Sequence, residues 1–596
     1  MTSGAKTNAA AGGVILGLNA FHGDAAACLL VEGEVVAAVE EERFSRVKHE
    51  AGFPHAAVDY CLSLLPRGPA QVTAVALNSD PSARRWAKIL YVLQRRPNLA
   101  LMWQRVRNRG ARAQLQDYLR HHGVPADARV ERVEHHRAHL ASAFYAAPFV
   151  RACAVSLDGF GDFASAAWGA GHGAHLEVDD AILFPHSLGI FYQAMTQYLG
   201  FFNYGDEYKL MGLAAYGHAD ASPSLDNLVR LQPHGQIQLE LQHFRHHREA
   251  VPLTWEDGAP TVGQLYAESM VDVFGPARRP DDAVEPRHQD MAAAVQQCYE
   301  RAVFHILRHA HAETGEANLV LAGGCAMNSL ANGKVLRESG FEQLYVQPAP
   351  GDAGGAIGAA YVAAVRTGQS LAATTGITHA YLGPRYTNEE VAAAIRARQS
   401  MLQDAGCEVR EMAFPEVARD TAIAIANGAV VGWFRGAMEW GPRALGNRSI
   451  LADPRVEDMR ARLNEKIKLR ETFRPFAPSI LSEEVDDWFE SAQDVPFMSM
   501  VLVVREPQRL RVPAIVHADG TGRLQTVSHA TNPDYYCLIE EFFKLTDVPI
   551  LLNTSFNENE PIVCTPEEAL DCFLRTQMDR LVLENFVVVR KHALHS

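Results

Sequence analysis

The stretch GVILGLNAFHGDAAACLLVEGEVVAAVEEERFSR near the start of the chain constrains the fold more than any other. Its apolar runs are broken by turn residues at 19–23 and again at 32–34, which reads as three strands joined by two tight turns. Strands joined this closely pair antiparallel, so the chain opens as a meander. The pattern returns loosely further on. The apolar run ACAVSLDGFGD ends in an aspartate followed by glycine, and SAAWGAG supplies a return strand after a small polar turn. A meander used twice predicts two lobes of like construction.

An antiparallel start of this kind, with a turn that carries His22 and Asp24 to the end of the first strand, is the opening expected of the ribonuclease-H-like domain of actin, sugar kinases and related ATPases. The expected fold class is therefore α/β, beginning with a two-lobed actin-like (ASKHA) domain. Length requires more than that: the chain has 596 residues, and single cores stop growing at roughly 250–300. Between about 365 and 390 the sequence RTGQSLAATTGITHAYLGPRYTNEE loses periodicity and gains turn residues, which places a boundary between domains 1–372 and 373–596.

Composition narrows the function. Hydrophobic residues make up 48% and charged residues 21%, as in a soluble globular protein. No apolar run reaches the roughly 18 residues a bilayer span needs, and the N-terminal MTSGAKTNAAAGG does not read as a secretory signal. A cytoplasmic address without membrane attachment is expected. Nine cysteines stand singly with no C-x-x-C, so reduced thiols are expected rather than a zinc ribbon or disulfide framework. A net charge of −15 opposes sequence-independent binding to nucleic acid. Residues 84–120 depart from this balance, with ten Lys or Arg against the single acid Asp117. They read as solvated faces of surface helices whose Trp86, Leu90, Leu93 and Leu99 pack inward, with an anionic partner or substrate entrance as the second reading.

The run VEHHRAHLASAFY places His135 and His139 four apart in a helical context, hence on one face. Two imidazoles at that spacing can share a cation; His136 is the alternative partner, and a histidine-rich helix start without metal is the plain reading. Asp158 and Asp352 both follow strands and precede glycines, where α/β sheets present carboxylates to a crevice. Two imidazoles and two carboxylates suit Fe(II), Mn(II) or Zn(II), and no thiolate joins them.

Two further groups concern phosphate. In NLVLAGGCAMNS an apolar strand runs into Gly323 and Gly324 and then a helix, where a nucleotide could approach the backbone; a tight strand-to-helix turn is the plain reading. Toward the C-terminus Arg443, Lys468, Arg470, Arg474 and Arg523 stand beside Gly and Pro turns, as a polyphosphate ligand would require. Single arginines tied to surface carboxylates are the alternative. No G-x-x-x-x-G-K-[ST] loop and no H-E-x-x-H occurs. His243, His246 and His247 follow the alternating strand GQIQLELQ and are expected in a solvated loop.

Taken in order, GLNAFHGDAAACLL, EEERFSRVKH, HHRAHLASAFY, SLDGFGD, GDEYKLMGLAAYG, LAGGCAMNS, PAPGDAGGAIGAA, WFRGAMEWGPRALGNRSIL, KLRETFRPFAPSIL and LNTSFN resemble the NodU/CmcH carbamoyltransferases, whose members carbamoylate tobramycin, cephem antibiotics and Nod factors. The resemblance covers essentially the whole chain. It implies a first domain like the catalytic subunit of tRNA threonylcarbamoylation enzymes and a YrdC-like α/β second domain. The second domain would join carbamoyl phosphate and ATP, with Mg, into carbamoyl adenylate and release pyrophosphate. The first would pass the carbamoyl group to a hydroxyl of a small molecule, a natural product or a sugar.

Carried over by position, His135, His139, Asp158 and Asp352 would hold the metal, Fe(II) in that family. Arg443, Lys468, Arg474, Arg523 and Asn553 would bind nucleotide and phosphate, with Gly323, Gly324 and Asn328 of LAGGCAMNS counted beside them. His22, oriented by Asp24, is a candidate base for the acceptor hydroxyl, and Lys48 of EEERFSRVKH joins them as a candidate catalytic residue. The hydrogenase maturation protein HypF shares the two-domain core but adds zinc-finger cysteine pairs and an acylphosphatase module that this chain lacks. A tRNA threonylcarbamoylation factor is the competing enzyme, opposed by the net charge; a nucleotide-gated module without transfer chemistry leaves the C-terminal cations unexplained. No motif specifies the acceptor, and a homodimer is the expected assembly.

Overall fold

Strands Val14–Asn19, Ala26–Val31 and Glu34–Glu40 form the antiparallel meander, and Val72–Leu77 and then Arg129–Arg132 add in parallel on its far side. This is a computed structural model that describes residues 13–95, 114–249, 251, 253–256, 258–371, 376–471, 473–491 and 493–591. The first strand is buried throughout because helices cover its sheet. At Gly17 a Cβ would stand 2.1 Å from the carbonyl oxygen of Ala356, so only glycine lets helix Gly354–Arg366 press on the strand.

A second sheet repeats the first. Arg151–Gly161, Ala164–His172 and Asp180–Leu183 pair antiparallel, and Asn318–Ala322 followed by Gln343–Val346 add in parallel on the other side of Arg151–Gly161. Strand order and sense match the first sheet. Between them lie helix His135–Phe144 and helix Gly354–Arg366, the latter rich in Gly and Ala. A Cβ at Gly358 would meet the Ala138 carbonyl oxygen at 1.8 Å, so the two helices cross in backbone contact. That crossing sets the histidine pair beside Asp352, two residues before the second helix.

Toward the C-terminus a nine-stranded mixed sheet runs from Cys407–Glu411 at one edge to Met500–Val503 at the other, with its own large core around Trp433, Phe434, Phe489 and Tyr535. The boundary read at 372/373 falls at residues 372–375, outside the described residues. Beyond it Ile377 still donates its backbone N–H to Ala146 O (2.7 Å), and Ala38 donates to Leu382 O (3.2 Å). The two regions are clasped by the segment after the meander: Gly441 N–H donates to Glu40, Arg43 donates to Gly441 O, and Arg46 donates to the carbonyls of Pro561 and Ile562.

Two expectations fail. Helix Arg85–Arg95 turns Tyr91 inward, against Phe163 and Phe184, and leaves Trp86, Leu90 and Leu93 83%, 54% and 70% exposed instead of packed. Leu99 and the arginines at 96, 105, 107, 109 and 112 lie outside the described residues. His243 and His246 are buried rather than solvated, because they bond to Ser269 Oγ and the Pro185 carbonyl and so close a loop onto the core. No helix among the described residues is long and apolar enough to cross a membrane.

Candidate functional site

Helix His135–Phe144 starts at Glu134, whose carboxylate accepts the Arg137 N–H and caps the first turn. One turn apart, His135 and His139 bring their Nε2 atoms to 3.0 Å. Asp158, on the irregular end of strand Arg151–Gly161, puts Oδ2 3.1 Å from His135 Nε2 and 3.8 Å from His139 Nε2. Asp352 Oδ1 lies 3.5 Å from both nitrogens and, although buried, makes no hydrogen bond. Thus the four side chains predicted to converge do so, each offering one ligand atom within 4.8 Å of the others.

The surroundings aim this set. Asp158 Oδ1 accepts the Gly324 N–H at 2.8 Å, leaving Oδ2 for the histidines. A Cβ at Gly161 would stand 1.9 Å from Cδ2 of His135, so glycine there makes room for the ring. His136 turns away to Ser156 Oγ (2.9 Å) and does not join the set. Burial alone would lower His135, but the Asp158 hydrogen bond and the Asp352 charge carry it up to about 9. Asp158 is held well below the usual carboxylate range by the two histidines, against the pull of burial. Two imidazole nitrogens and two carboxylates around one point form a donor set suited to a divalent cation.

His22 stands next to the cluster, its ring 5.9 Å from that of His135. Asp24, expected beside His22, accepts a 2.7 Å hydrogen bond from His49 Nδ1, a residue the sequence reading did not single out although it closes the motif EEERFSRVKH. Burial works against protonation of His49, yet Asp24 lifts it to about 9. Glu42 accepts the backbone N–H of His49 at 2.8 Å, so the grouping of Asp24, Glu42 and His49 is accounted for by its own bonds. Lys48 is exposed at the surface, and its ammonium is lowered by desolvation from the surrounding protein; Glu42 opposes that effect and Arg474 of the C-terminal region adds to it.

Four of the C-terminal cations gather in one part-buried group. Burial followed by the charge of Arg474 lowers Arg443 to about 10 and Arg470 to about 9, and Arg523 is depressed by burial and then by Arg443, Arg474 and Arg470. Lys468 stands otherwise. It is 1% exposed, and its ammonium donates to Ser555 O (2.5 Å), Asn557 O (2.8 Å) and Asn557 Oδ1 (2.7 Å). Asn553 lies in the sheet interior, donating to Ser479 Oγ and Gln525 Oε1.

The glycine pair is engaged as well. Gly323 has φ +87°, and a Cβ there would meet the Leu157 carbonyl oxygen at 2.1 Å, while the Gly324 amide serves Asp158. The expected helix is a 3-10 turn, Gly324–Met327, and one short helix, Ser329–Asn332, which Asn328 caps.

Comparison with known proteins adds family evidence. Residues 14–361 match the family described as carbamoyltransferase N-terminus, and residues 422–590 match carbamoyltransferase C-terminus. The chain is 40% identical to an uncharacterized protein of Synechocystis sp. over 97% of this chain and 96% of that one. It is 38% identical to nodulation protein NolNO of Sinorhizobium fredii, over 96% and 80% respectively. It is also 39% identical to nodulation protein NolO of Bradyrhizobium diazoefficiens, over 77% and 79%. Among solved structures, HypF of T. kodakarensis aligns with a TM-score of 0.33 at 13% identity, covering 61% of this chain and 48% of that one, too weak a likeness to build on.

Proposed function

The chain belongs to the carbamoyltransferase family, and from that premise we propose that it is an ATP-dependent O-carbamoyltransferase with its two half-reactions at two sites. The observation that carries this reading is the pairing of two unlike clusters: the His135, His139, Asp158, Asp352 set in the N-terminal region and the mutually repelling Arg443, Arg470, Arg474 and Arg523 in the C-terminal region. Like charges held together cost stability without an anion between them, so the second cluster calls for polyphosphate. The matching order of the first two sheets supports an actin-like (ASKHA) N-terminal domain, and we assign the nine-stranded sheet to a YrdC-like domain. A cytoplasmic address goes with ATP as co-substrate.

At the arginine site carbamoyl phosphate loses its phosphate to water, and the resulting carbamate oxygen attacks the α-phosphorus of Mg-bound ATP, so that carbamoyl adenylate forms and pyrophosphate leaves. The guanidiniums balance the phosphate charge through that exchange. At the histidine site an acceptor hydroxyl of a small molecule, a natural product or a sugar, attacks the carbamoyl carbon and AMP leaves. His22, beside the cluster, takes the hydroxyl proton, and Lys48 faces the phosphate of the adenylate. The orphaned Asp352 oxygen and the converging Nε2 atoms fit a divalent metal, Fe(II) in this family or else Mn(II) or Zn(II). When bound, such an ion supplies a Lewis acid for the carbamoyl group or a hold on the phosphate. Release of AMP and pyrophosphate from ATP that depends on added carbamoyl phosphate tests the reading; a purified chain without such turnover overturns it.

A further inference from the structure

The motif GDEYKLMGLAAYG forms helix Glu207–Ala214 and has no part in the chemistry above. It lies against the arginine cluster. The Arg474 guanidinium sits over the Tyr208 ring, 4.5 Å from its centroid. Lys209 Nζ is 3.4 Å from Glu471 Oε1, whose other oxygen is 3.7 Å from Arg474 Nη1. A Cβ at Gly212 would reach Pro475 at 3.7 Å, so the helix and the segment carrying Arg474 are in van der Waals contact.

A second arginine is held in the same way. Arg523 Nε donates to Ser329 Oγ at 3.1 Å, and Ser329 belongs to the short helix after Gly323 and Gly324. A guanidinium over an aromatic face is held without spending its N–H donors, which leaves those not turned to Glu471 for an anion.

We propose that Tyr208 and Ser329 of the N-terminal region complete the phosphate site of the C-terminal region, Tyr208 by holding the Arg474 guanidinium over its ring and Ser329 by fixing Arg523. This rests on the arginine cluster being a phosphate site, as proposed above. Both are positioning residues, and the C-terminal region alone carries an incomplete site.

Calorimetric titration of the full chain with ATP and with pyrophosphate tests this without turnover. Tyr208→Leu and Ser329→Ala should each weaken binding about tenfold, and Tyr208→Phe, which keeps the ring, no more than about threefold. Tyr208→Leu added to Arg474→Ala should cost nothing beyond Arg474→Ala alone, since the ring acts through that guanidinium. Tyr208 is part-exposed, so melting temperatures should stay near wild type; should Tyr208→Leu fail to fold, Tyr208→Phe and Ser329→Ala still decide. Wild-type affinity in Tyr208→Leu and Ser329→Ala, additive losses in the double variant, or no binding of either ligand by the wild type overturns the inference. Tight binding with the expected losses, but no carbamoyl-phosphate-dependent turnover, upholds it while overturning the proposed reaction.

Discussion

His135 Nε2 and His139 Nε2 stand 3.0 Å apart, with Asp352 Oδ1 3.5 Å from each. Two rings held nitrogen to nitrogen, with a buried carboxylate oxygen that has no hydrogen of its own to accept, point to a cation. His139→Ala and Asp352→Asn should each lower bound Fe(II), Mn(II) or Zn(II) by at least about tenfold, read by elemental analysis after dialysis at limiting metal. The wild type should also melt lower once chelated. Unchanged metal content in both variants would remove the site.

Gly161 gives a finer test, since it supplies no ligand atom of its own. Gly161→Ala drives a methyl into the His135 ring, 1.9 Å from Cδ2, and a short side chain locked on a helix cannot yield that much. Metal affinity should fall about 10–100-fold while the helical and strand content by circular dichroism stays as in wild type.

The Asp24–His49 pair contributes stability that depends on pH. Its folded-state value of about 9 lies above the ordinary histidine value, so the contribution is full below about 6.5 and is lost as pH rises through about 9. Both side chains are partly exposed, which limits the effect to about 1 kcal/mol. The stability difference between wild type and His49→Gln, from urea unfolding, should be level in the acid range and close toward zero above the folded value; a difference that grows with pH contradicts the pairing.

Lys468 and Arg443 should separate stability from binding. Lys468→Met leaves the acceptors on Ser555 and Asn557 buried without their donor, at a cost of about 3 kcal/mol. Arg443→Ala relieves repulsion within the arginine group, so it should leave stability unchanged or higher while weakening ATP binding. Urea unfolding and calorimetry on the two variants check this together. Lys468→Met with wild-type stability and lost ATP binding would instead make the ammonium a ligand.

What the sequence could show was whatever its own spacing encodes. The meander was legible because its turns are short, and the convergence of His135, His139, Asp158 and Asp352 because helical spacing and strand ends put those atoms at one crevice. Contacts across hundreds of residues were not. Nothing local ties Arg474 to Tyr208 or Arg523 to Ser329, and Lys468 carries no sign that its acceptors lie 87 and 89 residues on. In helix Arg85–Arg95 the apolar stripe was visible, but which face meets the core was decided by Tyr91 finding Phe163 and Phe184. Gly324 shows the limit of a motif: the amide that a nucleotide could use is taken by Asp158.

The central claim is a division of labour between the two clusters, and pyrophosphate release tests it most directly. With ATP and carbamoyl phosphate, wild type and His139→Ala should both release pyrophosphate and AMP, and Arg443→Ala should lose most of that release. Pyrophosphate release that vanishes in His139→Ala yet survives in Arg443→Ala, or that never depends on carbamoyl phosphate, would contradict the account.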